Sequence, residues 1–297
     1  MDVTEVTTRR CAGCGAALQA GDLFCEQCGA RADDGAREGG DRVEMDLMTA
    51  AAVSDRGRVH RRNEDAFRVD ARGKGTALAV VCDGISSASA GDVAARTAAT
   101  VAGEVLSAAA ADRSRDARVA VLEAVQAAQA AVAEVPWTTR LDRAVPSCTM
   151  VCALWRECEI VVASVGDSRA YWTDATGARQ LTVDDSWAEE QVAEGHLTRK
   201  QAMLDPRSHS ITHWIGSDAP PRPPRVVTVQ PDRPGRLLLC SDGLWNYVPS
   251  ASSLHELIAA LPSETSAAAL ARALTDTALH RGGRDNITVA VVDVDPS

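Results

Sequence analysis

The chain has 297 residues, 45% of them hydrophobic and 24% charged, the balance of a soluble globular protein with room for one large domain and a small module. A formal net charge of -10 argues against nucleic acid as the main partner, because a phosphate backbone needs a basic face. Met1 to Arg10 has no apolar signal segment, and no uncharged apolar run reaches the roughly 18 residues of a membrane span, so a cytoplasmic protein without membrane contact is expected.

Two CxxC pairs open the chain, Cys11 with Cys14 and Cys25 with Cys28. Each can form a tight turn aiming two thiolates at one ion, and four thiolates suit a closed tetrahedral Zn²⁺ site. A redox CxxC would normally sit in a βαβ context, which is absent here. Residues 1–30 resemble the zinc-ribbon modules attached to many regulatory proteins, too short and too poor in apolar residues to fold without metal. Such modules bind protein, nucleic acid or nothing known, and a docking or regulatory role towards a protein partner is the one favoured here. Residues 31–44, RADDGAREGGDRVE, are charged, contain glycine and lack periodicity, which describes a flexible tether. The other five cysteines, Cys82, Cys148, Cys152, Cys158 and Cys240, lie in apolar segments and read as reduced core thiols. An odd total of nine argues against a disulfide framework.

Residues 45–297 alternate between blocks of strands and blocks of helices. Strands are expected at 46–54, 67–71 and 78–82, then two alanine-rich amphipathic helices at 92–111 and 115–135 joined by a polar turn. Further strands follow at 148–155, 159–165 and 170–173. A mixed segment, 186–224, carries a short helix at 187–194 and ends in prolines. Strands at 225–229 and 236–240, helices at 252–261 and 265–281 and a last strand at 287–294 complete the pattern. Grouped strands and paired helices favour an α+β sandwich over a doubly wound parallel sheet.

The run Leu78-Ala79-Val80-Val81-Cys82-Asp83-Gly84 ends an apolar strand on a carboxylate. Alone it reads more simply as a strand entering an Asp-Gly hairpin turn. But Leu237 to Gly243 repeats the shape with Asp242, and Ile160 to Val165 leads into Gly166-Asp167-Ser168-Arg169 in the same way. Three apolar strands that each deliver an Asp at the end point to a shared metal site.

Together with Ser54-Asp55-Arg56-Gly57, Asn63-Glu64-Asp65-Ala66 and Arg284-Asp285-Asn286, the ordered set resembles the metal-dependent serine/threonine protein phosphatases of the 2C class, over about residues 45–295. The resemblance implies a four-layer α-β-β-α sandwich of two antiparallel sheets flanked by helices. It implies that Asp83 bridges two metal ions, that the Gly84 carbonyl ligates one of them, and that Asp242 and Asp285 complete the second. Glu64 and Asp65 would act through metal-bound waters, and Asp167 with Asp242 would form an optional third site. All-oxygen ligands select hard ions, Mg²⁺ or Mn²⁺ rather than zinc. The activity implied is hydrolysis of phosphoserine and phosphothreonine in a phosphorylated protein substrate, by a metal-bridged water and without a phosphoenzyme, in a monomeric signalling enzyme. The alternative is a catalytically weak phosphatase-like protein that binds a phosphorylated partner, with the ribbon as docking module.

The sequence departs from the family at several positions. His60 stands where an arginine usually grips the substrate phosphate, and it lacks arginine's planar fork, so the candidates for that phosphate are His60 itself, Arg61 and Arg62, with a solvated loop residue as the other reading of His60. Ile85 replaces a histidine proposed as general acid in eukaryotic members, Ser86-Ser87 replaces a Gly-Gly pair, and Asp185 stands where a histidine often follows Asp184. No catalytic role is expected of these, nor of His209 and His213, which read as surface or packing residues.

Overall fold

In the computed structural model two compact units are distinguished, residues 1–41 and residues 42–297. The structure describes residues 42–73, 75–138 and 144–296, together with two short strands nearer the N-terminus. Those are β1 (Arg9–Arg10) and β2 (Ala17–Leu18), paired antiparallel with Arg9 opposite Leu18. Cys11, Cys14, Cys25 and Cys28, like residues 31–41 of the expected tether, lie outside the described residues.

The second unit begins with two hairpins, β3 (Arg42–Asp46) with β4 (Ala50–Asp55) and β5 (Asp65–Ala71) with β6 (Thr76–Asp83). Helices α1 (Gly91–Ala111) and α2 (Ala117–Ala133) follow, and then β7 (Ser147–Cys148), β8 (Met150–Arg156) and β9 (Glu159–Val165). Next come β10 (Arg169–Asp174), β11 (Gly177–Gln180), and the short helices α3 (Trp187–Ala193) and α4 (Arg199–Leu204). After β12 (Ile215–Gly216), β13 (Arg225–Val229) and β14 (Gly235–Cys240) come α5 (Asp242–Trp245), α6 (Ala251–Ala259), α7 (Ala267–His280) and β15 (Ile287–Val294).

Two antiparallel sheets result, ordered β11-β10-β14-β15-β4-β3 and β13-β9-β8-β6-β5. Their central strands are apolar throughout because both faces are covered, and the period of two decides which cover each residue meets. In β6, Leu78, Val80 and Cys82 pack against α1 and α2, while Ala77, Ala79 and Val81 meet the other sheet. In β14, Leu237 and Leu239 face the inter-sheet core, and Leu238 and Cys240 meet the helical layer that includes Leu254, Leu270 and Leu274. Helices on both outer faces complete the four layers. On α1 the buried stripe Ala94, Ala98, Ala102 and Leu106 recurs every four residues, so its small side chains let the helix lie close to the sheet. Among the described residues no helix is long and apolar enough to cross a membrane.

Several expectations need correction. The strand expected at 46–54 is a hairpin: Met48 adopts φ 66°, its N–H donates to Asp46 Oδ1, and the chain reverses there. β3 therefore starts at Arg42, inside the stretch assigned to the tether at 31–44, because its backbone pairs with β4 and Arg42 bonds Glu44 and Asp276. Cys158 is exposed in the β8–β9 turn and is not a core thiol. The strand β11 and the helices α4 and α5 had no clear periodic signature.

Leu106 is wholly buried between α1 and its sheet. Leu106→Ala is expected to destabilise the protein by about 2–5 kcal/mol, read as a lower denaturant midpoint with an unchanged slope.

Candidate active site

The strand-end carboxylates meet at one pole of the sandwich because the register brings them there. Asp83 ends β6 directly opposite Asp65 at the start of β5, so the two carboxylates are cross-strand neighbours. β14 ends at Cys240, paired with Val289 of β15, which sets Asp242 just past one strand end and Asp285 just before the start of the next. Asp167 lies in the turn from β9 to β10. Two glycines make the approach possible. A Cβ on Gly84 would lie 2.6 Å from the Gly91 carbonyl, and one on Gly243 would lie 1.9 Å from the Asn286 carbonyl oxygen.

Neutral hydrogen bonds hold these segments. Ser241 Oγ donates to Asp65 Oδ2 (2.8 Å) and accepts from the Thr288 N–H (3.0 Å). Asn286, 3% exposed, accepts from the Glu64 N–H at 2.7 Å and donates to the Arg56 and Arg62 carbonyls. Asn63 donates to Ser54 Oγ (2.8 Å), which shares a hydrogen bond with Thr288 Oγ1 (2.7 Å). Thr149 Oγ1 accepts from the Asp83 N–H (3.2 Å) and bonds Ser168 Oγ (2.7 Å). No such role is expected from the sequence for Asn286, Ser241, Thr288 or Thr149. Polar residues directly beside apolar strand ends were the available signal.

The electrostatics are those of like charges crowded together. Burial pushes the Asp65 carboxyl up to about 7, with Asp242 and Asp285 adding to the rise against hydrogen bonds from Thr288 and Ser241. Burial and then Asp285 raise Asp242 to about 6, opposed by hydrogen bonds with Asp83 and Asn246 and by His60. Asp83 is pushed well above the carboxylate range by burial and by Asp65, Asp242, Asp167 and Asp285. Asp167 is raised by burial, Asp242 and Asp184.

These residues fit hard cations. All their donors are oxygens, their repulsion is relieved by positive charge, and Asp65 Oδ1 is buried without a hydrogen-bond partner. Among the described residues no three His, Cys, Asp or Glu side chains stand closed in metal-holding geometry.

The rim differs in part from expectation. His60 Nε2 lies 3.2 Å from Asp285 Oδ1, and the His60 carbonyl accepts from Arg56. Arg62 turns to Asp92 (3.4 Å), and with Arg61 and Glu64 it lines an adjoining cavity. Asp184 and Asp185 diverge. Asp184 takes the Arg169 guanidinium at 2.7 Å, with Trp245 stacked 3.9 Å from that guanidinium and donating to the Asp167 carbonyl. Asp185 accepts from the Gly166 N–H, Arg225 and His213, which together bring its carboxyl below the ordinary value despite burial. His213 is thus a buried anchor of the 186–224 segment, and His209 stacks on Trp245. A cavity of about 1240 Å³ lies at the opposite end of the strands, beside Gly75, Gly235 and Val294, away from the carboxylates.

A raised carboxyl holds a proton in the folded chain that the unfolded chain, near 3.8, has already lost. Without divalent cations, stability should therefore fall as pH rises from about 4 to about 7 and recover on acidification. In EDTA the Tm is expected to be higher at about pH 5.5 than at about pH 8, and Asp65→Asn with Asp242→Asn should narrow the gap. Equal midpoints would contradict it.

Residues 56–277 match the family model described as protein phosphatase 2C. The chain is 30% identical over 254 residues to the serine/threonine phosphatase stp of Listeria monocytogenes, covering 84% of this chain and 96% of that protein. It is 32% identical over 252 residues to the serine/threonine protein phosphatase PstP of Mycobacterium tuberculosis, covering 84% of this chain and 45% of that protein. The crystal structure of the serine/threonine phosphatase Stp1 from Staphylococcus aureus is similar, with a TM-score of 0.70 at 25% identity over 84% of this chain and 96% of that one. The catalytic domain of a PstP in complex with two manganese ions has a TM-score of 0.59 at 27% identity, over 86% of this chain and 100% of that one. The family match runs from Arg56 to Thr277 and takes in Asp65, Asp83, Asp167 and Asp242, so this chain belongs to the protein phosphatase 2C family.

Proposed function

We propose that this chain is a metal-dependent phosphoprotein phosphatase that hydrolyses phosphoserine and phosphothreonine. The observation that carries the proposal is the meeting of Asp65, Asp83, Asp242, Asp167 and Asp285 at one pole, where each raises its neighbours' demand for positive charge. Asp83, Asp242, Asp285 and the Gly84 carbonyl would hold two Mg²⁺ or Mn²⁺ ions, Glu64 and Asp65 would act through water, and Asp167 with Asp242 would hold an optional third. Two manganese ions in a PstP catalytic domain support that number. When bound, such a pair lowers the pKa of water towards neutrality and neutralises charge building on the phosphoryl oxygens.

The chain itself positions and orients. The β5–β6 rung locks Asp83 against Asp65, Ser241 fixes the Asp65 carboxylate, and Asn286 holds the backbone that carries Glu64. His60, beside Asp285 at the rim, is the residue we assign to the substrate phosphate. It can hold a proton at Nε2, but it cannot grip two oxygens as an arginine would.

Cys11, Cys14, Cys25 and Cys28 would hold one structural Zn²⁺ in a ribbon that docks a protein partner. Support comes from β1 and β2, which pair on either side of Cys11 and Cys14. Free thiols at Cys82, Cys148, Cys152, Cys158 and Cys240 favour a reducing, cytoplasmic setting.

With Mn²⁺, wild-type protein should hydrolyse p-nitrophenyl phosphate and a phosphothreonine peptide, EDTA should abolish both activities, and Asp242→Ala should reduce kcat/KM by at least about a thousandfold. Peptide binding by wild type without turnover would replace the enzyme with a binding protein. Elemental analysis should find about one zinc per chain, lost in Cys25→Ser with Cys28→Ser while phosphatase activity persists.

A further inference from the structure

A second cavity, of about 760 Å³, adjoins the carboxylate cluster and shares His60 and Glu64 with its rim. Its far wall is different in kind. Ser89 lines it at the start of α1, is only 8% exposed, and has a hydroxyl without a hydrogen-bond partner. The Ser89 N–H is already used, donating to the Ala144 carbonyl at 2.8 Å. A buried hydroxyl left unbonded costs free energy until something supplies an acceptor.

A cation unpaired among the described residues and a helix start lie at the same wall. The 21-residue helix α1 begins here behind Ala90, which offers no side-chain cap and takes the Val93 and Ala94 N–H groups on its carbonyl, so the positive end of the helix dipole lies at this wall. The acid of that turn, Asp92, is already occupied by Arg62 and Arg96. Arg61 is exposed, and among the described residues no ion pair or hydrogen bond holds its guanidinium. On a chain of net charge -10, Arg61 is the cation of this lining left without a partner among the described residues, since Arg62 is paired with Asp92 and His60 faces Asp285. Trp137, 39% exposed, adds an apolar face to the lining.

We propose that this cavity is an anion subsite for a substrate residue flanking the phosphorylated one. Arg61 supplies the charge, Ser89 Oγ donates a hydrogen bond to the carboxylate or phosphoryl oxygen, and Trp137 carries the apolar part of the peptide. The inference rests on the phosphatase reading and names its substrate class: phosphoproteins with an acidic or second phosphorylated residue beside the target. His60 separates the two jobs. It faces Asp285 and the cluster, whereas Arg61 lies exposed at the cavity and Ser89 lines it with a buried, unpartnered hydroxyl. A shared rim keeps the two anions within a few residues of extended chain, at about 3.3–3.6 Å per residue.

The test uses full-length protein with Mn²⁺ and a phosphothreonine peptide whose flanking positions are alanine. Companion peptides carry Glu, phosphoserine or Lys at one of the two positions on either side. Turnover and fluorescence-anisotropy binding are measured for each. For the best-placed Glu or phosphoserine, KM and Kd should fall about tenfold relative to alanine with kcat little changed, and Lys should weaken binding. Glu and phosphoserine peptides separate a carboxylate from a phosphoryl preference. In Arg61→Ala with Ser89→Ala the preference should collapse to within about twofold, with the circular dichroism spectrum and thermal midpoint reporting whether that variant is folded. If the double variant does not fold, Trp137→Ala and Arg61→Gln are compared on the same peptides. Equal affinity of wild type for acidic, neutral and basic peptides, or an acidic preference that survives in the variants, would overturn the subsite. Absence of all turnover with the acidic preference intact in binding would overturn the phosphatase activity and leave the subsite standing.

Discussion

Carboxylates do not gather by their own attraction. Asp65, Asp83, Asp167, Asp242 and Asp285 repel one another, and their crowding at one pole is possible only because stiff, buried strands end there. The apolar cores of β6, β14 and β15 hold the two sheets together through burial spread along their whole length. That stabilisation is delocalised, whereas the repulsion is concentrated at the strand ends. A divalent cation is the natural complement to such an arrangement, since it reverses the sign of the local interaction without moving the frame.

The frame needs small residues as much as large ones. Gly84 lets the turn after β6 lie against Gly91 at the start of α1, and Gly243 lets α5 lie against Asn286. A methyl group at either point would press on backbone, which cannot rotate away. Around them, Ser241, Thr288, Asn286 and Thr149 satisfy one another and the strand-end backbone with uncharged hydrogen bonds. Neutral partners steer the carboxylates without neutralising them, so their charge remains available to a cation. The 186–224 segment is tied to the same pole by two buried carboxylates used differently. Asp184 pairs with Arg169 under Trp245, and Asp185 gathers Gly166, His213 and Arg225.

An acidic floor alone would repel a phosphoprotein. In the proposed enzyme, cations on that floor attract the ester, while the basic wall at Arg61 and the start of α1 supplies a second, permanent attraction beside it. The first depends on metal and acts on the bond that breaks. The second is built into the chain and acts on what surrounds that bond. Separating them lets affinity for the peptide change without altering the reacting geometry.

The strands and their carboxylates were legible in the sequence because burial on both faces produces uninterrupted apolar runs, and Leu78–Cys82 and Leu237–Cys240 could hardly be anything else. The order of Asp83, Asp167, Asp242 and Asp285 along the chain was enough to identify the family and with it the architecture. Met48 was not legible, because a left-handed turn at a methionine has no compositional mark and only hairpin pairing reveals it. Nor was the service of Asn286, Ser241 and Thr149, whose partners are as many as 230 residues away. Local propensity and periodicity are written in neighbouring residues, so the sequence determined the elements and the chemistry at their ends. Which hydroxyl meets which carboxylate, where Arg61 and Ser89 converge and how closely like charges approach depend on contacts between distant segments, and only tertiary packing decided them.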